Sequence, residues 1–225
     1  VTLYSHQGGP NGWKVATVLN ELGLKYRTIF IDFKKGDHRK EEFLRLCPNA
    51  RIPLCVFHRD DDFAVWESGA ILLYLVQHYD PNYTLWSRDR KEQSQITSWI
   101  MLQVSGHGVI QGQAFWFKFF HHEAVESATR RYIDETRRVY GVLEVRLAEA
   151  REELWDHAER EDVLPEALHT YPVWLVGSSM TIADLSYLTW ARTAHRLDID
   201  LEQEFPEVGR WVDNMLARPK VAEAL

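Results

Sequence analysis

The chain has 225 residues, 45% hydrophobic and 26% charged, the make-up of an ordinary globular protein, which argues against disorder. A net charge of −7 disfavours nucleic acid as a partner, because a nucleic-acid footprint needs clustered Lys and Arg. No apolar run approaches about 18 residues, so no membrane span is expected, and the opening VTLYSHQGGP lacks the basic-then-apolar pattern of a secretory signal.

The first third alternates between strand and helix patterns. Thr2–Ser5 reads as a short strand, and Gly8-Gly9-Pro10 ends it. Residues 13–22 place Val15, Ala16, Val18, Leu19 and Leu22 at helical spacing, with Gly23 suited to the C-terminal cap. Residues 26–32 read as a second strand, which makes a βαβ unit with parallel strands. A loop at 34–39, a short helix at Glu41–Leu46 and a turn-rich Pro48–Pro53 stretch follow. Leu54–Phe57 and Phe63–Trp66 pair as a hairpin. Ser68 is placed to cap a helix through Ile71, Leu72, Leu75 and Val76.

Residues 81–90 read as a linker, and everything after them as helical. The expected segments are 93–104, a long one at 125–153, 181–194 and 205–216. Residues 156–170 are acidic and irregular and read as a surface insertion. Thr181 and Asp184 form a capping-box-like start before an apolar run. The fold class is therefore α/β plus all-α: residues 1–80 as βαβ-α-ββα, residues 81–90 as linker, residues 91–225 as an all-helical domain.

Ligands of α/β sheets bind beyond the carboxyl ends of the strands, which points to the turn His6–Gly12. Asn11 falls at or beside the start of the first helix, where an amide next to orphan N–H groups makes a local anion site. A thiolate is one plausible anion, since helix starts lower thiol pKa values from about 8.5. A plain N-cap is the competing reading of Asn11. Between His6 and Gly12 there is no Cys, Tyr, Thr or Ser, and Ser5 is the nearest hydroxyl. Tyr4 alternates with it and is expected in the core. His6 reads either as a base or as a solvated turn residue.

Arg51-Ile52-Pro53 is the second signal. A cis bond before Pro53 would present the Ile52 backbone to an extended peptide, whereas a trans bond would make a simple turn. Glu67-Ser68 is the third: at a strand-to-helix junction the pair suits an ammonium and a carboxylate, or Ser68 alone is a cap. Basic pairs Arg130 and Arg131, and Arg137 and Arg138, read as a solvated helix face. The aromatic run Trp116, Phe117, Phe119 and Phe120 reads as core packing or as a pocket lining. Cys47 and Cys55, too far apart for a CxxC pair, read as small buried hydrophobes in a reducing compartment. No metal site is expected.

VTLYSHQGGPNGWKVATVLNELG, DFKKGDHRKEEF, PNARIPL and WESGAILLYL resemble the thioredoxin-like front domain of glutathione transferases. QSQITSWIMLQVSGHG, GQAFWFKFFH, RRYIDETRRVYGVLE and PVWLVGSSMTIADL extend the resemblance through the helical domain, and FPEV and RPKV carry it to the C-terminus. The likeness is to the fungal nitrogen-regulator-like group, related to the bacterial nu class. It implies glutathione as co-substrate. Asn11 would approach the sulfur, His38 the glycyl carboxylate, Ile52 the cysteinyl unit, and Glu67 and Ser68 the γ-glutamyl end, with Arg51 among the glutathione-binding residues. Arg131 matches an arginine that relatives place near the sulfur. Trp116 and Phe119 are the expected electrophile-pocket residues. The resemblance also implies a cytoplasmic homodimer acting in conjugation, peroxide reduction or disulfide reduction. Non-catalytic regulation and ligand carriage are the rival roles. Gly9 departs from the nu-class pattern, which has Thr there, and this puts nu-class disulfide-reductase chemistry in question.

Overall fold

A computed structural model of the chain describes residues 1–160, 168 and 171–225, and divides into two compact units, Val1–Arg88 with Ala217–Leu225, and Asp89–Leu216. In the first unit, β1 (Thr2–Ser5), α1 (Pro10–Glu21), β2 (Arg27–Phe30), α2 (Glu41–Leu46), β3 (Leu54–Phe57), β4 (Phe63–Trp66) and α3 (Ser68–Tyr79) follow in order. The sheet runs β2-β1-β3-β4. β1 and β2 are parallel, with Thr2 opposite Arg27, and β3 is antiparallel to both β1 and β4. This is the expected βαβ-α-ββα arrangement. β3, Leu-Cys-Val-Phe, is buried along its whole length, as befits an apolar run covered on both faces.

α1 starts earlier than its apolar pattern suggests because Pro10 occupies its first turn, where a missing N–H costs nothing. Its end is as read. Gly23 takes φ +67°, the Leu24 N–H donates to Leu19 O at 2.9 Å, and the Gly23 N–H donates to Asn20 O at 2.9 Å, which is a Schellman close. Residues 37–39, expected as loop, form a 3-10 turn. The segment after α3 is pinned rather than loose: the Asp80 carboxylate accepts from the N–H groups of Thr84 and Leu85, each at 2.8 Å, and Leu85 is fully buried.

α10 (Pro219–Ala224) groups with the first unit, not with the helical one. Val221 and Ala224 are buried, and polar contacts join its start to α1. Arg218 holds the Glu21 carboxylate through two bonds, at 2.8 and 2.9 Å, and Lys220 Nζ donates to Glu21 O at 2.9 Å.

The second unit contains α4 (Arg90–Leu102), α5 (Gly108–Phe115), α6 (Glu126–Arg160), α7 (Ile182–Ala191), α8 (Leu201–Glu204) and α9 (Pro206–Leu216). π turns at Gln103–His107 and Trp116–Phe120 flank α5. α6 is longer than expected. It absorbs residues 156–160 of the presumed insertion as helix; 161–167, 169 and 170 lie outside the described residues. Trp211, Tyr140 and Tyr187 are the large side chains of the core, and Asp184 is buried among them. Among the described residues no strand follows β4, and no helix is long and apolar enough to cross a membrane.

Candidate functional site

β1 ends at Ser5, and the chain reverses in a tight turn. The Gly9 N–H donates to His6 O at 3.0 Å and the Gly8 N–H to His6 Nδ1 at 3.1 Å. The His6 ring is thus committed as an acceptor inside the turn. Trp13 Nε1 donates to Gln7 O at 2.8 Å and clamps the turn onto α1. The N-cap is Gly9, with no side-chain cap, so the plain N-cap reading of Asn11 is corrected: Asn11 lies inside the first turn, half-buried.

Gly12 lets α1 sit directly on the end of β1. A Cβ at Gly12 would fall 1.8 Å from Ser5 Oγ. Ser5 is 1% exposed, packed beneath the helix start, and its Oγ has no hydrogen-bond partner. Tyr4, expected in the core, is partly buried, edge-on to Phe43 at 5.8 Å between centroids.

Of the other first-unit candidates, Ile52 lies against this turn and His38 is linked to it through Phe33. Ile52-Pro53 is cis. Ile52 Cδ1 lies 3.1 Å from where a Gly9 Cβ would be, so glycine at this position keeps the turn close to Ile52. The Cys47 thiol donates to Arg51 O at 3.4 Å, while the Arg51 side chain is exposed. Both cysteines are free and buried, and burial pushes the Cys55 thiol up to about 12. His38 is reached through aromatic contacts. Phe33 stands 5.3 Å from His6 and 4.8 Å from His38, centroid to centroid, and buried His38 Nδ1 has no hydrogen-bond partner.

At the start of α3 the expected cap is corrected. Glu67 is the N-cap residue, at φ +72°, and makes no side-chain cap. Its carboxylate accepts from Asn49 Nδ2 at 3.0 Å. Ser68 is the first helical residue, and its Oγ accepts from Lys14 Nζ at 3.0 Å. Lys14, 1% exposed, is a buried charged residue beside the start of α3 that sequence reading missed. Burial drags its ammonium down to about 7, against the pull of the Glu67 charge. A signal did exist, because Lys14 stands in a stretch whose flanking positions are apolar and which α1 buries from Lys14 to Leu19.

In the second unit, Arg131 is exposed on α6 and lines an open depression with Arg130, Asp134, Glu135 and Arg138. The solvated-face reading fails for Arg137, which binds Glu204 at 2.7 Å and Asp198 O at 2.6 Å. The aromatic run is a surface feature rather than core packing. Trp116 is 50% exposed and Phe119 44%, and the Arg196 guanidinium lies 5.2 Å over Phe119. Phe117 and Phe119 border a cleft of about 540 Å³ that also carries Lys118 and Arg130. Among the described residues no group of three or more His, Cys, Asp or Glu side chains is gathered as a metal site requires.

Residues 1–77 match the family profile described as "Glutathione S-transferase, N-terminal domain", and residues 111–219 match its C-terminal counterpart. The chain belongs to the glutathione S-transferase superfamily, in its Ure2-like group. It is 47% identical to the transcriptional regulator URE2 of Saccharomyces cerevisiae over 100% of this chain and 67% of that protein, and 47% identical to the URE2 protein of Saccharomyces bayanus, covering 69% of it. The chain thus spans about two-thirds of these relatives. Among solved structures, Ure2p in complex with glutathione superposes with a TM-score of 0.92 at 48% identity, over 100% of this chain and 97% of that one. The Phanerochaete chrysosporium glutathione transferase URE2P6, in complex with oxidized glutathione, superposes with a TM-score of 0.85 at 40% identity, over 99% of this chain and 93% of that one. This Ure2-like chain has the glutathione transferase fold: a thioredoxin-like unit with a mixed four-stranded sheet, and a helical unit.

Proposed function

We propose that this Ure2-like chain is a glutathione transferase that binds glutathione on its first unit and stabilises the thiolate through Asn11. The observation that carries the reading is the α1 start. A carboxamide stands in the first turn of a helix whose N-cap supplies no side-chain acceptor, beside Ile52 and the cis Pro53. Orphan N–H groups and the helix dipole at such a start favour an anion. Relatives in complex with glutathione or oxidized glutathione support the choice of ligand.

In this reading the γ-glutamyl ammonium pairs with Glu67 and its carboxylate meets Ser68. Ile52 pairs its main chain with the cysteinyl unit, Arg51 is a further glutathione-binding residue, and His38 takes the glycyl carboxylate. Arg131 supplies positive charge, and Trp116 and Phe119 receive the electrophile, all three on the second unit. The chain acts in the cytoplasm as a homodimer. Glutathione is the co-substrate, and no metal takes part.

One stabilised thiolate serves three reactions. In conjugation the sulfur attacks an electrophilic carbon, an S–C bond forms, and the displaced group leaves with its electron pair. In disulfide reduction it attacks one sulfur, expels the other as thiolate, and a second glutathione resolves the mixed disulfide to oxidised glutathione. In peroxide reduction it attacks one oxygen, the O–O bond breaks with loss of an alcohol, and a second glutathione returns the sulfenic acid to oxidised glutathione and water.

The decisive test is the ultraviolet titration of bound glutathione near 240 nm in the wild type and in Asn11→Ala. The expected result is a thiol pKa raised by about one unit or more in the variant; an unchanged thiolate fraction removes Asn11 from the chemistry. A second reading, regulation of a transcription factor without turnover, is favoured by the name of the Saccharomyces cerevisiae relative. Capture of a transcription regulator in a pull-down, together with no turnover on an aryl halide, an isothiocyanate, a hydroperoxide and a mixed disulfide, would favour it over catalysis.

A further inference from the structure

A lysine ammonium has three donors and no acceptor. A hydroxyl facing it must therefore accept, and turns its own proton elsewhere. A neutral amine does the reverse and takes the hydroxyl's proton. Lys14 and Ser68 stand in this relation in the interior of the first unit, one on α1 and the other at the start of α3.

We infer that Lys14 is the positioning residue of a carboxylate subsite at the start of α3: its Nζ, 3.0 Å from Ser68 Oγ, turns the hydroxyl proton toward an incoming carboxylate, so that anion binding is coupled to protonation of Lys14. The inference rests on the reading that the γ-glutamyl end of glutathione sits at Glu67 and Ser68. It adds to that reading a buried residue that the ligand need not touch.

Burial supports the coupling by bringing Lys14 to about 7, so that near neutral pH the free protein holds both protonation states. An arriving carboxylate adds negative charge beside Ser68 and draws the proton on. Titratable groups stand on each element packed against α1, with Tyr74, His78 and Tyr79 further along α3. From α3 comes Glu67, whose charge acts on Lys14. From β1 come Tyr4, packed on Phe43, and then His6, which is held in the turn. α10 brings Lys220 and Glu223, with Arg218 just before it. Arg218 and Lys220 are bound to Glu21, about two helical turns beyond Lys14.

The test uses the whole chain and S-methylglutathione, whose blocked sulfur cannot exchange a proton. Calorimetry at pH 7.5 in buffers of different ionisation enthalpy reads proton uptake on binding. The expected uptake is about half a proton or more, with affinity falling about three- to tenfold between pH 6 and pH 8. Lys14→Met should bind more weakly at pH 6, without uptake and with a flat pH profile. Lys14→Arg, always charged, should restore binding without restoring uptake. Heats independent of buffer in the wild type, or the same pH profile in Lys14→Met, would overturn the role of Lys14 and leave the glutathione site standing. The wild-type series decides the matter even where a variant does not fold. Failure of the wild type to bind S-methylglutathione would instead overturn the glutathione reading, and this inference with it.

Discussion

Three helix starts in this chain solve the same problem in opposite ways. α7 opens with a complete capping box. The Asp184 carboxylate accepts from the N–H of Thr181 at 2.7 Å and of Leu175 at 2.9 Å, and from Trp211 Nε1 at 3.1 Å, while Thr181 Oγ1 accepts from the Ala183 N–H. α1 and α3 open on Gly9 and Glu67 with no side-chain cap. A satisfied start has nothing left to offer and serves the core. Starts without a side-chain cap keep donors for a ligand, and their stability comes from packing instead. The same distinction separates Asp184, whose protonation burial favours, from Lys14, whose deprotonation burial favours beside the candidate ligand site.

The strongest way to break this comparison is at α7. Asp184→Ala strips acceptors from several buried donors and should cost about 3–5 kcal/mol, read as a lower urea midpoint by tryptophan fluorescence. A loss under about 1 kcal/mol would mean that the box is ornamental.

At α1 the sign reverses. Lys14→Met should stabilise the fold by about 3 kcal/mol at pH 6, because the wild type then buries a charge that the variant lacks. The folded-state pKa lies below the unfolded one, so between about 7 and 10.5 the unfolded chain holds a proton that the folded chain has lost. Wild-type stability therefore rises with pH across that window, and the advantage of the variant should shrink there. Unfolding curves at pH 6 and pH 10 check both claims. A variant less stable than the wild type at pH 6 would show that Lys14 is structural cement.

The smallest expected effect sharpens the packing side. Gly→Ala in a helix normally gains about 1 kcal/mol. Gly12→Ala should instead lose about 2 kcal/mol, since its Cβ would collide with Ser5 Oγ. A double-mutant cycle with Ser5→Gly should return a coupling of about 1–2 kcal/mol. Additive costs would place the strain elsewhere.

Periodicity and turn chemistry made most of the architecture legible. β1, α2, β3 and β4 begin and end where their patterns do, and the Thr181–Asp184 box is visible four residues at a time. Asn11 at the start of α1 and Pro53 after Ile52 could be read from the chain, and Ile52 lies against the turn at Gly9. The interior of the site could not be. Ser68 looked like a cap because a hydroxyl before an apolar run usually is one, and only the packing of α1 on α3 shows it bound to Lys14. Arg137 looked solvated because its partners Glu204 and Asp198 lie more than sixty residues away in the chain. α10 looked like part of the helical domain until the Arg218–Glu21 ion pair and the Lys220 bond to Glu21 O were seen.

What the sequence by itself determined is whatever depends on near neighbours: helical and strand periods, the Schellman close at Gly23, the capping box, the order of elements and hence the family. What only the tertiary structure decided is the electrostatic state of the site. The charge of a group depends on how much water it loses and which dipoles replace that water. Both are properties of elements brought together by folding, as when α3 closes over Lys14 and sets its proton near neutrality.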